Sequence, residues 1–346
     1  MKFSRLGRTD ISVSRICFGT MTFGEQTGEA DAHRLLDQAI EAGVNFLDVA
    51  EMYPVPPRAA TQGLSEAFIG TWLKARGRRD RVVVATKACG LSRPEFSYIR
   101  GGNFRLDRVN LEAALDASLK RLCTDHVDLY QLHWPDRQTT IEAAASGKDD
   151  PRATPLEATL EALAGLIKAG KVRAVGISNE TAWGTMRYLA LADARGLPRM
   201  AAIQNRYSLL ARTYETDLAE IGLREQISLL AFSPLCMGVL SGKYLQGKRP
   251  PGSRMALFAN RFGRYLGPAA ERATQRYAEL ARIHGLEPAA MAIAFAASRP
   301  FVASAVIGAT TADQLAQDIA AGDLVLSDAV IKGIEAIHLD NPSPCP

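Results

Sequence analysis

Short runs of apolar, β-branched residues alternate along the chain with longer stretches in which apolar positions recur at helical spacing. Eight short runs stand out: RICFG (15–19), VNFLDVA (44–50), VVVATKA (82–88), HVDLYQLH (126–133), VRAVGIS (172–178), AAIQNR (201–206), ISLLAFS (227–233) and SAVIGA (304–309). Their continuous apolar character predicts strands buried on both faces, as in parallel sheets. Helical patterns follow them over 31–42, 65–74, 108–122, 155–169, 182–195, 214–225, 270–298 and 311–321. Strands that alternate with helices pair in parallel through right-handed crossovers. Eight such units in 346 residues predict an α/β protein whose whole length, 1–346, is one (β/α)8 TIM-barrel domain. The competing architecture, an open doubly wound sheet, usually carries G-x-G-x-x-G after its first strand; neither that nor a G-x-x-x-x-G-K-[ST] loop occurs.

Ahead of the first run, residues 3–6 and 11–13 flank Gly7-Arg8-Thr9-Asp10, the pattern of a short β-hairpin, which is expected to plug the barrel bottom. Four connections are long: 54–63, 90–107, 134–154 and 234–267. All follow strand C-termini, the face on which such barrels place their active sites. No internal repeat, low-complexity tract or interdomain linker interrupts the pattern.

Composition narrows the class. With 47% apolar and 23% charged residues the chain is neither disordered nor fibrous. Its 41 basic and 37 acidic side chains are interspersed, and a net charge of +4 is too small to point to nucleic acid, although a few clustered Arg and Lys suffice to hold a phosphate. Five scattered cysteines, Cys17, Cys89, Cys123, Cys236 and Cys345, form no C-x-x-C pair. The N-terminus has no apolar signal region and no run of about 18 apolar residues occurs. These features predict a reduced, cytoplasmic protein with no membrane partner. Five histidines without an H-x-H or H-E-x-x-H pair argue against a metal, and no G-x-S-x-G elbow appears.

Polar residues that end the apolar runs carry the candidate chemistry. Asp48 ends the second run, Lys87 the third and His133 the fourth, with Tyr53 in the loop five residues beyond Asp48. Singly, each has an ordinary structural role: a turn cap, a snorkelling lysine, a core histidine. Together on one rim they make an acid–base site. A phenol is a poor acid at neutral pH unless its anion is stabilised. Lys87 is expected to lower the Tyr53 pKa, Asp48 to keep Lys87 charged, and His133 to orient a carbonyl oxygen. Such a set suits proton donation to a developing alkoxide, with a hydride source beside it. A nucleophilic or oxidant-sensing Cys89, two residues past Lys87, is the competing use of this rim.

The motifs GTMTFG (19–24), DVAEMY (48–53), Thr86-Lys87, His133-Trp134-Pro135, GISN (176–179) and FSPL (232–235) resemble those of the aldo-keto reductases, in order and over nearly the whole chain. The insertion PVPPRAATQGLSE after Tyr53 resembles the bacterial Tas-type branch, within the group that also contains the potassium-channel β subunits. The resemblance implies NADP(H) extended across the barrel mouth and Asp48, Tyr53, Lys87 and His133 as a catalytic tetrad with Tyr53 as general acid. It implies cofactor contacts from Thr20, Met21 and Asp48, with Ser178, Asn179 and Gln204 holding the nicotinamide carboxamide and Phe232 stacking on its ring. The pyrophosphate would meet Ser233, Pro234, Leu235, Ser241 and Lys243. Arg254, Gly308, Thr310, Gln314, Gln317 and Asp318 would clamp the 2′-phosphate and adenine. Some relatives carry Lys where Ala309 stands and Asn at Asp318, which shifts any NADP preference onto Lys243, Arg254 and Thr310.

Phe96, Tyr98 and Trp134, with Tyr53 and His133, are expected to line an apolar substrate pocket. The implied partner is a small aldehyde or ketone, reduced to an alcohol by a monomeric enzyme. Two alternatives use the same barrel: an NADPH-binding redox-sensing subunit with slow catalysis, and an inert structural barrel. His133 favours the enzyme, because some channel-associated members have Asn at that position.

Overall fold

The computed structural model describes residues 1–146 and 150–345. The chain enters through an antiparallel hairpin, β1 (Phe3–Arg5) and β2 (Ser12–Ser14), with Phe3 opposite Ser14. Gly7 turns the hairpin at φ 56°, where a Cβ would come within 2.4 Å of the Ala201 carbonyl oxygen. Only glycine allows that approach. Leu6, Ile11 and Val13 then pack on Cys17, Phe46, Val83, Leu129 and Leu230, so the hairpin seals the barrel interior from below.

Eight parallel strands close the barrel: β3 (Ile16–Gly19), β4 (Phe46–Asp48), β5 (Val83–Ala88), β6 (Val127–Leu132), β7 (Val172–Ser178), β8 (Met200–Arg206), β9 (Ser228–Phe232) and β10 (Val302–Ile307), with β10 pairing back to β3. Around them run α1 (Glu29–Glu41), α2 (Leu64–Arg76), α3 (Arg108–Leu122), α4 (Ile141–Ala145), α5 (Leu156–Lys168), α6 (Ala182–Arg195), α7 (Leu218–Glu225), α8 (Arg254–Phe262), α9 (Pro268–Ile283), α10 (Pro288–Ser298), α11 (Ala312–Ala321) and α12 (Asp328–Asp340). The (β/α)8 barrel and its hairpin agree with the hydrophobic pattern. A second, larger apolar layer lies between strands and helices, and it explains the continuous apolar runs: each strand faces a core on both sides.

The helical reading needs three corrections. One helix over 270–298 becomes α9 and α10, because Gly285 turns at φ 65° and Pro288, lacking an N–H, opens the next helix. The helix over 214–225 shortens to α7, since Asp217 caps the Leu218 N–H from its side chain and the preceding residues Thr213–Glu215 form a 3-10 turn. Helices α4, α8 and α12 were not legible as periodic segments, and α4 and α8 lie inside connections taken as long loops. Residues 147–149 of the connection after β6, and Pro346 of the NPSPCP tail, lie outside the described residues. Among those described, no helix is long and apolar enough to cross a membrane.

Candidate active site

Ladder register puts Asp48 at the end of β4, Lys87 next to last in β5, and His133 one residue past β6, on three adjacent strands. Lys87 is fully buried and its ammonium has three donors. One goes to Asp48 Oδ2 at 2.6 Å, one to the Val49 carbonyl at 2.9 Å and one to the Tyr53 hydroxyl at 3.4 Å. The other Asp48 oxygen accepts from Gln204 Nε2 at 2.7 Å and from Gln131 Nε2 at 3.3 Å. Such full pairing is what a buried ion pair needs to persist. The His133 ring meets the Tyr53 ring edge to face, 5.7 Å between centroids.

Protonation follows from these contacts. Burial pulls the Lys87 pKa down most strongly, but Asp48 and Tyr53 together lift it above the ordinary lysine value, so the ammonium stays charged. Lys87 acts on Tyr53 in the expected direction, but the net shift is upward. Burial outweighs the Lys87 field and raises the phenol above its ordinary value; Lys87 limits that rise. Burial, then Lys87 and Arg93, hold His133 well below its usual pKa, which makes it a neutral imidazole at pH 7. A neutral ring can still donate one N–H to a carbonyl oxygen, and its Nδ1 has no partner among the described residues.

The 90–107 connection packs against this site, and the aromatic residues expected to line a substrate pocket form one buried cluster there. Phe96, Ile99 and Phe104 cluster with Trp134, Met52 and Cys89, and Tyr53 and Tyr98 pack on the same group. Phe96 stacks on Trp134 with centroids 5.4 Å apart. Gly90 allows the cluster to close, because a Cβ there would strike the Trp134 carbonyl oxygen at 1.9 Å. Glu51 ties the connection down: it accepts from the Cys89 N–H at 2.7 Å and pairs with Arg100, which bonds Asn110 at 3.1 Å. Cys89 itself is buried, and burial with Glu51 nearby pushes its thiol well up. It lacks the thiolate character that a nucleophile or sensor needs.

The residues expected at the nicotinamide gather on the same rim. Thr20 bonds the Asp48 carbonyl and the Ser65 hydroxyl, both at 2.9 Å, and the Met21 carbonyl accepts from the Val55 N–H. Ser178 Oγ donates to the Gln204 carbonyl at 2.7 Å. Asn179 spends both amide N–H groups on the His133 carbonyl and Ser178 Oγ, leaving its oxygen to accept. Phe232 is half-buried at the end of β9, packed on the inner core.

Beyond Phe232 the backbone is unusual. Ser233, Cys236 and Met237 adopt left-handed φ of 57°, 49° and 60°, the strained geometry that clusters at ligand clamps. Pro234 is buried and Leu235 half-buried in this turn, and Ser241 Oγ bonds the Gly238 carbonyl at 2.8 Å. Lys243 Nζ rests 5.3 Å from the Tyr244 ring centroid. Arg254 starts α8 half-buried, its only hydrogen bond among the described residues going to Met237 Sδ, and burial lowers its pKa. Beside it, Ser253 Oγ is buried without a partner among the described residues. A half-buried guanidinium with no carboxylate partner and an orphaned hydroxyl fit a phosphate.

Across from this turn, Gly308 is exposed after β10, and Gln314 Oε1 accepts from the Thr310 N–H and hydroxyl at 3.2 and 3.3 Å. Gln317 is exposed on α11. Asp318 is buried, and burial pushes its carboxyl up to about 7 against the pull of Lys243.

Several residues escaped the sequence reading. Gln131 is polar inside an apolar run, two residues before His133 and so on the same alternation; that parity was the available signal. Glu51, Arg100, Arg93 and Ser253 had none, since their partners or lack of them depend on tertiary contacts. Glu66 is also buried, bonding Thr86 Oγ1 at 2.6 Å and Arg121 at 2.7 Å behind the Lys87 strand.

A model of the aldo/keto reductase family matches residues 15–338. The chain is 50% identical to "Protein tas" of Escherichia coli over 348 residues, the full length of both. It is 33% identical to the "Uncharacterized oxidoreductase YrpG" of Bacillus subtilis, over 97% of this chain and 96% of that protein. It is 32% identical to a "Probable voltage-gated potassium channel subunit beta" of Oryza sativa, over 99% and 98% respectively.

Proposed function

Since the chain belongs to the aldo/keto reductase family and is an oxidoreductase, we propose that it reduces aldehydes or ketones to alcohols with NADPH, residues 1–346 acting as one monomeric catalytic unit in the cytoplasm. The observation that carries this reading is one ammonium, Lys87 Nζ, in simultaneous contact with Asp48 and the Tyr53 hydroxyl beside a neutral His133. The nicotinamide, when bound, supplies the hydride. Tyr53 gives its phenolic proton to the carbonyl oxygen as negative charge develops there. Lys87 stabilises the resulting phenolate, and Asp48 keeps Lys87 charged and in place. His133 orients the oxygen by an N–H hydrogen bond. Asn179, Ser178, Gln204 and Phe232 would hold the nicotinamide end, and Ser241, Lys243, Ser253 and Arg254 the phosphates. That fit supports NADPH, because Arg254 and Ser253 await acceptor oxygens.

The phenol acts chiefly in the transition state, so Tyr53→Phe should lower the reduction rate by about 10²- to 10⁴-fold while NADPH affinity, read by fluorescence titration, stays near that of the parent protein. Undiminished turnover of an aldehyde by Tyr53→Phe would remove Tyr53 as the acid. The channel-subunit relative raises a sensor role, which predicts tight NADPH binding without steady aldehyde turnover in the parent protein.

A further inference from the structure

The 90–107 connection carries three arginines. Arg100 pairs with Glu51 and Arg105 with Asp107, at 2.8 Å in the second case. Arg93 differs. Its guanidinium lies over the Trp134 ring, 4.7 Å from the centroid, and no carboxylate among the described residues comes within ion-pair distance; Glu95, two residues on, does not reach it. The Trp134 ring is in turn 5.0 Å from the His133 ring, so the cation sits one aromatic step from the reacting centre. It is also close enough to depress the His133 pKa.

An exposed arginine is ordinarily a solvated surface charge. Three features set this one apart. The guanidinium carbon lies over the indole ring, and no ion pair or hydrogen bond to a carboxylate among the described residues takes the guanidinium N–H groups, which can bind a carboxylate in bidentate fashion. The neighbouring wall of Phe96, Trp134 and Tyr98 is aromatic, and the Tyr98 hydroxyl is buried with no partner among the described residues. A second cation, Arg261 of α8, is near enough to Tyr98 to oppose the burial that raises its pKa, and Arg261 likewise has no carboxylate within reach among the described residues. An unmatched guanidinium at the edge of this aromatic cluster, one ring from His133, is complementary to an anion, not to a neutral tail.

We infer that the pocket selects aldehydes or ketones that carry a carboxylate, the carbonyl lying between Tyr53 and His133 and the carboxylate on the Arg93 edge. This inference rests on the carbonyl-reductase reading and names the substrate class of the same site.

The test compares 4-carboxybenzaldehyde with 4-methylbenzaldehyde, two substrates of like shape that differ in charge, followed by NADPH absorbance at low ionic strength. The parent protein should favour the carboxylate in kcat/KM by about tenfold or more, and Arg93→Met should reduce that preference by about tenfold to a hundredfold, the scale of a charge-assisted hydrogen bond. Arg93→Lys should retain part of it, and added salt should erode the preference of the parent protein more than that of Arg93→Met. Equal handling of the two aldehydes by the parent protein, or a preference that survives Arg93→Met, overturns the inference while leaving the reductase reading intact. A stronger preference for 4-formylphenyl phosphate than for the carboxylate overturns the choice of anion. Failure to turn over either aldehyde overturns the reductase reading and this inference together.

Discussion

Two parts of one barrel rim treat charge in opposite ways. At the ends of β4, β5 and β6, the charges packed around Tyr53 are answered from within the chain: Lys87 by Asp48, Asp48 by Gln204 and Gln131, Glu51 by Arg100. Across the mouth, the turn after β9, the start of α8 and the body of α11 leave Arg254, Ser253 and Asp318 without such answers among the described residues. The contrast follows from the roles proposed for the two parts. A proton donor needs a protonation state fixed before the substrate arrives, so its partners are built in. A site for a mobile polyanion does better to leave cations unmatched, because an internal carboxylate would have to be displaced on binding. Left-handed φ at Ser233, Cys236 and Met237 adds to the cost of keeping the second region in shape without its ligand.

The largest effect should come from breaking the paired side. Lys87→Met leaves Asp48 as a buried carboxylate with amide partners alone, and losing one member of a buried pair costs about 3–5 kcal/mol. It also removes the cation that limits the rise of the Tyr53 pKa, so carbonyl reduction should fall by about 10²-fold or more. Chemical denaturation and a pH–rate profile check the two halves. A normal rate with an unchanged profile would deny Lys87 its tuning role, and unchanged stability would mean that Asp48 finds water or a proton in its place.

A smaller effect probes the unpaired side. Asp318 has a carboxyl pushed up to about 7, mainly by burial. In the unfolded chain an aspartate titrates near 4, so between these values the folded form holds a proton that the unfolded form has released. Stability supplied by the protonated carboxyl is therefore full below about pH 4 and is lost as pH rises to about 7. Asp318→Asn cannot ionise and should escape that loss, gaining on the order of 4 kcal/mol on the parent protein between pH 4 and pH 8. Thermal unfolding across that range measures it. A difference that does not grow with pH would show that the carboxylate is solvated or matched by Lys243.

The two regions also differed in how far sequence exposed them. Asp48, Lys87 and His133 were legible because each interrupts an apolar run at its C-terminal end, and counting strands placed those ends side by side. Gln131 obeys the same geometry but hides inside its run, and its partner Asp48 is 83 residues away. The Glu51–Arg100 clasp, which ties down the 90–107 connection, joins residues 49 apart through a left-handed Arg100 that no local pattern signals. For Lys243 and Arg254 the residues alone looked like loop charges; only the family likeness singled them out, and their unmatched state is a fact of three dimensions. Helix α8 went unread for a related reason, because a nine-residue helix inside a long connection offers too few turns for its period to stand out.

The smallest effect is the most specific. Arg254→Gln keeps a polar side chain at the start of α8 but removes the half-buried charge beside Ser253. If that charge meets the 2′-phosphate, the variant should bind NADPH more weakly by about 2 kcal/mol, near thirtyfold, the scale of one charge-assisted contact. NADH affinity, which lacks that contact, should change much less. The free protein should even gain slightly in stability, since burial already lowers the Arg254 pKa and Gln carries no such penalty. Fluorescence titration with both nucleotides, paired with thermal unfolding of the free protein, separates these consequences. Equal weakening toward NADPH and NADH would move Arg254 to the pyrophosphate, and a loss of free-protein stability would place it among the structural charges of the paired side.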